Sequence, residues 1–239
     1  MHRSQGRLGR RTLRRLIPLL ATLAVPAHAA ERRWPVGSVE RIRIEAPIDV
    51  RITTGAGTGV RATGPGRAAL DTLDVRVDGN TLTIRAPRAS APIGHVTIFT
   101  PRVESIALFV PATVTLDALR GSRASASVAG TGTITIARVD ADSFAATLVG
   151  DGTITAAGRA AEVRVTGNGP GTIDVAGVAS DRIAVQAMGD IIVRAAARTA
   201  AQVTAGPDAQ VSIAGRPQCT IRAAKPANVV CGARQAPAT

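Results

Sequence analysis

The sequence predicts an all-β protein whose larger part is a β-solenoid of two-strand coils joined by glycine-rich tight turns, preceded by a part rich in antiparallel strands. Three observations carry that fold class. Apolar and polar residues alternate with period two after the first thirty positions, the mark of half-buried strands. No stretch beyond residue 29 sustains the i, i+3, i+4, i+7 apolar spacing of a helix. Between Arg123 and Gly232 one short unit recurs every 17–20 residues. Composition agrees: of 239 residues only 2% are aromatic, namely Trp34, three Phe and no Tyr, whereas wide globular cores are filled by aromatic rings. A narrow core of Val, Ile, Leu and Ala is expected.

Residues 1–29 read as a secretory signal peptide. Arg3, Arg7, Arg10, Arg11, Arg14 and Arg15 form a cationic start without an acid, Leu16 to Val25 is an apolar stretch, and Ala27-His28-Ala29 is a small-x-small cleavage site. The apolar stretch is too short for a bilayer core, which needs about 20 residues, so no stable membrane insertion is expected after cleavage. Removing the six arginines lowers the formal charge from +12 to +6 and with it the case for nucleic acid as a partner. The remaining arginines alternate singly with apolar residues, and there are no interleaved aromatics to stack single-stranded bases.

Residues 30–122 form the strand-rich first part. Arg41-Ile42-Arg43-Ile44 and Ile48-Asp49-Val50-Arg51-Ile52 put apolar side chains on one face and charges on the other. Leu73 to Val77, the turn Asp78-Gly79, and Thr81 to Ile84 make a hairpin signal, because Asp-Gly supplies the positive φ of a tight turn. Val96 to Phe99 and Ser105 to Leu116 continue as strands, interrupted at Pro101 and Pro111.

Residues 123–232 hold the repeats, and 233–239 read as a disordered tail. A leading apolar position recurs at Val128, Leu148, Val165, Val185, Val203 and Ile221, and a second at Ile134, Ile154, Ile173, Ile191, Val211 and Val229. Between them lie Gly130-Thr131-Gly132, Gly150-Asp151-Gly152 and Gly167-Asn168-Gly169, assigned as turn glycines. Further turns are expected at Ala157-Gly158, Ala176-Gly177 and Ala214-Gly215. Two short strands and two turns per unit make one coil, which cannot bury its inner face alone and is stabilised by parallel stacking about 4.8 Å apart. Open solenoid ends need caps, and a homo-oligomer would also cover them.

Cys219 and Cys231, twelve positions apart in an exported chain, are expected to form a disulfide. A redox pair would normally read C-x-x-C, and zinc needs more ligands than two thiols and His95, the one histidine beyond residue 29.

The strand order resembles the GIN-domain family, whose members are described as autotransporter-adhesin heads. Val39 to Gly55 (VERIRIEAPIDVRITTG) is similar to its opening double strand, Leu70 to Pro87 (LDTLDVRVDGNTLTIRAP) to its next hairpin, and the Gly-x-Gly repeats to its turns. The resemblance implies a right-handed β-helix of two sheets, export, a suggested role in adhesion, and no catalytic residues to carry over. Here the turns decay beyond Met188 to a lone Gly189 and to Gly206-Pro207.

Chemistry is thinly represented. Asp174 and Asp190, at offsets of plus one and minus one from the second apolar position of adjacent coils, would stand roughly 8 Å apart, inside the ~5 to 9.5 Å window of a glycosidase pair. Two solvated carboxylates are the simpler reading. Asp151 and Asp208 share an offset three coils apart, too far to cooperate, and Asp140 and Asp142 sit where turn-capping is the usual role. Thr133-Ile134-Thr135 over Thr153-Ile154-Thr155 would make a flat array of the kind ice-binding solenoids use, but the next coils read Thr172-Ile173-Asp174 and Asp190-Ile191-Ile192. The β-propensity of threonine accounts for a two-coil match. No phosphate loop or nucleophile triad can be assembled, and no cofactor is expected. The sequence thus points to an exported, noncatalytic solenoid of the cell envelope, periplasmic or at the surface. Its expected partner is a glycan or envelope protein held on a sheet face. A polysaccharide-active enzyme and a module for anionic polymers are the alternatives.

Overall fold

The computed structural model describes residues 30–55, 57–87, 94–225 and 227–233. The expected signal peptide lies outside them, as does the expected tail apart from Ala233, the last residue of the final strand. The first part of the chain holds β1 (Ala30–Trp34), β2 (Arg41–Glu45), β3 (Asp49–Thr54), β4 (Gly59–Gly64), α1 (Arg67–Asp71), β5 (Asp74–Asp78), β6 (Thr81–Arg85), β7 (His95–Thr100), β8 (Ser105–Leu108) and β9 (Thr113–Leu116). Four long strands follow: β10 (Leu119–Ala129), β11 (Thr133–Val149), β12 (Thr153–Asn168) and β13 (Thr172–Met188). The last group is β14 (Ile192–Ala197), β15 (Ala200–Ala205), β16 (Gln210–Gly215), β17 (Gln218–Ala223) and β18 (Asn228–Ala233).

These strands stack into a β-solenoid with two faces. Sheet one runs β5-β6-β2-β8-β10-β11-β12-β13-β15-β17. Sheet two runs β1-β4-β7-β3-β9-β11-β12-β13-β14-β16-β18. The strands β11 to β13 belong to both because each bends through a corner: Thr133–Ile136 of β11 pairs in sheet two, and Ser143–Val149 in sheet one. Gly158 lies at that corner with φ +128°, a conformation that glycine alone reaches cheaply; a Cβ there would overlap the Val139 backbone. Pairing is parallel except for β5–β6, β1–β4 and β4–β7, so the antiparallel character expected of the first part is confined to the N-terminal end of the stack.

Spatial order departs from chain order at one place. The β2–β3 coil lies between the β6–β7 coil and the β8–β9 coil. The chain therefore steps over β2 on its way from β7 to β8, and the amides of Glu104 and Ser105 both donate to the Glu40 carbonyl, at 2.8 and 3.2 Å. Beneath that step Thr100 is fully buried. Its hydroxyl donates to the Val39 carbonyl (2.6 Å) and accepts from the Val39 amide (3.2 Å), which satisfies a polar group that would otherwise be costly to bury.

The lumen is filled by Ile, Val, Leu and Ala around Phe144, the one aromatic in the buried core of the described residues. Size complementarity across the lumen sets where the glycines fall. Leu148, next to the end of β11, occupies the space over Gly152 and Gly171: a Cβ on Gly171 would lie 2.5 Å from Leu148 Cδ2. One coil further on the sizes exchange. Gly167 is buried in β12, and Ile191, fully buried, projects into the space it leaves, so that a Cβ on Gly167 would overlap Ile191 Cδ1.

This exchange corrects the repeat alignment. Leu148 pairs with Gly167, not with Val165, and Ile173 pairs with Val193, not with Ile191. Gly167 is consequently a lumen residue, and the turn in that coil is Gly169-Pro170-Gly171, with Gly169 (φ +120°) stacked on Gly150 and Gly150 on Gly130. Gly132 and Gly152 occupy the inward turn position, where Leu108 and Val128 leave no room for a side chain.

The two ends differ. At the N-terminal end α1 packs on β1 and β4 with Leu70 buried, and the outermost strands carry charges, Asp74, Arg76 and Asp78 on β5 and Glu31, Arg32 and Arg33 on β1. Arg32 lies over the Trp34 ring, 4.8 Å from its centroid, and donates to Asp71 at 2.7 Å. At the other end β17 and β18 are the last strands, and Cys219 and Cys231 are joined across the lumen by a disulfide.

Candidate binding face

Sheet two presents an outer surface built by alternation. Val114, Ile134, Ile154 and Ile173 are fully buried and stacked, so their strand neighbours point outward. The register sets Thr113, Thr133, Thr153 and Thr172 in one row and Thr115, Thr135 and Thr155 in a second. Rows of this kind advance about 4.8 Å per coil, and the two stand about 6.7 Å apart along the strands. The grid spans three complete Thr-x-Thr coils rather than the two read from the sequence, because Thr113-Val114-Thr115 on β9 lies before the stretch recognised as repeating.

Polar and charged side chains bound the grid. On the β3 side Asp49 stands between His95 and Thr113, with His95 Nδ1 3.7 Å from Asp49 Oδ2, and Arg51 stands between Thr97 and Thr115. These residues line a shallow depression of about 500 Å³. On the other side Asp174 faces Arg194 (3.8 Å) and accepts a hydrogen bond from the Ala176 amide at 3.1 Å.

The register separates Asp174 from Asp190. Asp174 is two residues beyond Thr172, which pairs with Ile192, and Asp190 is two residues before Ile192. Four residue steps and one coil place them roughly 14 Å apart, not 8 Å, outside the spacing that two cooperating carboxylates require. Asp190 instead borders a separate depression with Pro207, Asp208 and Gln210.

Elsewhere several charges are internally matched. A depression of about 630 Å³ at the corner edge is floored by Gly121, Ala141 and Ala160 and flanked by the Arg159–Asp140 (2.9 Å) and Arg198–Asp181 pairs. Arg33 and Arg61 share Glu31. Glu40 is held below its ordinary pKa first by its hydrogen bond from Arg102, and Glu45 by hydrogen bonds from Arg85 and Arg43. Among the described residues no group of three or more His, Cys, Asp or Glu is placed to hold a metal ion, and no helix is long and apolar enough to cross a membrane.

The family described as "Putative auto-transporter adhesin, head GIN domain" matches residues 39–217, three quarters of the chain. The chain belongs to this family. The GIN domain has the fold of three solved structures. A putative adhesin from Bacteroides fragilis is 16% identical with a TM-score of 0.74, covering 86% of this chain and 96% of that one. A protein named as a putative lipid binding protein from Parabacteroides distasonis is 12% identical with a TM-score of 0.63, covering 86% and 98%. A putative adhesin from Parabacteroides merdae is 12% identical with a TM-score of 0.63, covering 85% and 96%. No curated protein matches the sequence.

Proposed function

We propose that this GIN domain is an exported, noncatalytic binding module of the bacterial envelope that holds a glycan or an envelope protein against the outer face of sheet two. The threonine grid carries the reading. Seven hydroxyls, each both donor and acceptor, stand beside seven methyl groups on a rigid surface, a pattern suited to the alternating polar and apolar faces of a sugar chain. Asp49, Arg51 and His95 add a directional acceptor and donors at one edge. Export is supported by the cationic, then apolar, then small-x-small order of residues 1–29 and by a disulfide of the kind that persists in oxidising compartments.

The polymer-binding alternative has less support, since Arg33 and Arg61 are bridged by Glu31 and Thr97 interrupts the row between Arg61 and Arg51. The test is retention of the purified mature protein on immobilised envelope polysaccharides and envelope extract. Thr133→Glu with Thr153→Glu, in a variant that keeps its thermal unfolding midpoint, is expected to weaken retention at least about tenfold, equivalent to ~1.4 kcal/mol. Equal retention by the variant, or none by either protein, overturns the proposal.

A further inference from the structure

The C-terminal end of the stack differs from the rest of the surface in three respects. First, β17 pairs only with β15, and β18 only with β16, so among the described residues each presents a free row of backbone donors and acceptors. Second, among the described residues nothing stacks on the last side chains of the lumen columns. Ile221 continues the fully packed Val185–Val203 column yet is 43% exposed, and Cys219 continues the column of Ile183 and Ala201. Third, the charge is one-signed. From Ala209 to the last residue the sequence has no Asp or Glu, while Arg216, Arg222 and Lys225 are all exposed.

We infer that this end is a strand-addition site for an acidic, extended polypeptide segment. Each feature selects one property of the occupant. Free backbone rows are completed by another strand, the mode by which an extended peptide joins a sheet edge. An open lumen column accepts apolar side chains at alternate positions, beside Cys219 and Ile221. Arg222, outward on the edge strand, and Lys225, in the turn that follows, meet the intervening side chains, which are therefore Asp or Glu. The same three cations oppose a second copy of this end, because a two-fold contact would bring like charges together. The N-terminal end is unsuited to the role: its outer strands carry both signs, a feature that protects an edge from pairing. The disulfide holds β17 and β18 together, so the edge is presented preformed.

The probe is a fluorescein-labelled, end-blocked hexapeptide alternating Val and Glu, compared by fluorescence anisotropy with its Val and Lys counterpart, using the mature oxidised protein. The acidic peptide is expected to bind, with affinity falling as salt rises, and the basic one to bind at least tenfold more weakly. Arg222→Glu with Lys225→Glu reverses that preference, whereas Arg164→Glu, an outward cation in the middle of sheet one, leaves it unchanged. Equal binding of both peptides, binding of neither, or unaltered preference in the double variant overturns the inference. So does a dimer on sizing that the double variant abolishes, and so does binding that appears only when residues 234–239 are removed.

Discussion

Exchange of size between Gly167 and Ile191 is open to a direct energetic test. Ile191→Ala empties a fully buried position and is expected to cost about 2–4 kcal/mol. Gly167→Val adds three carbons where even a Cβ overlaps Ile191 Cδ1, and overpacking of this kind costs about 1–3 kcal/mol. Gly167 does not have a positive φ, so the cost arises from volume and not from backbone strain. In the double variant Gly167→Val with Ile191→Ala, the new valine occupies the space the isoleucine vacates. Its destabilisation should fall short of the sum of the single variants by about 1–3 kcal/mol, the coupling typical of side chains in contact. Urea unfolding, compared at equal m-value, measures all three. Additivity within about 0.5 kcal/mol would refute the argument that lumen volume at this coil is shared between the two positions.

Gly158→Ala should lower stability by at least about 2 kcal/mol, since the residue has φ +128° and the new Cβ meets the Val139 backbone; a denaturation midpoint equal to that of the parent would contradict it. Cys219→Ser with Cys231→Ser should cost about 3 kcal/mol for the loop closed across twelve positions, with faster amide exchange in β17 and β18 while β11 to β13 keep their protection. The carboxyls of Glu40 and Glu45 have pKa values lowered by folding, through the hydrogen bonds from Arg102 and from Arg85 and Arg43. Their contribution is therefore complete above the ordinary carboxylate range and lost as pH falls through the lowered folded values. Glu40→Gln with Glu45→Gln should flatten the acid limb of the Tm-versus-pH curve; an unchanged limb counts against these pairs.

Period-two alternation was enough to place most strands, because an inward Val, Ile or Leu between two polar residues has one way to face a lumen. Register was not legible in the same way. A shift of two residues preserves the alternation, so Val165 and Gly167 are equally good partners for Leu148 by pattern, and volume alone decides between them. The same degeneracy placed Asp190 beside Asp174. Thr113-Val114-Thr115 was present in the sequence as plainly as its neighbours, but its coil is closed by Val110-Pro111-Ala112 and not by Gly-x-Gly, and so it stood outside the recognised repeat. Nothing in the pattern signals that β2 and β3 sit between strands that come later, since a parallel strand reads alike whichever neighbour it takes.

The interleaving of β2–β3 constrains the time course of assembly. The coil nearest the N-terminus gains its neighbour on one side only when β6 and β7 are available and on the other only when β8 and β9 are, so it stays incomplete until the chain is free as far as Leu116. Such contacts are long in sequence and slow to close. The strands β10 to β13, by contrast, pair with their sequence neighbours, so that part of the stack can zip coil by coil without waiting for distant segments.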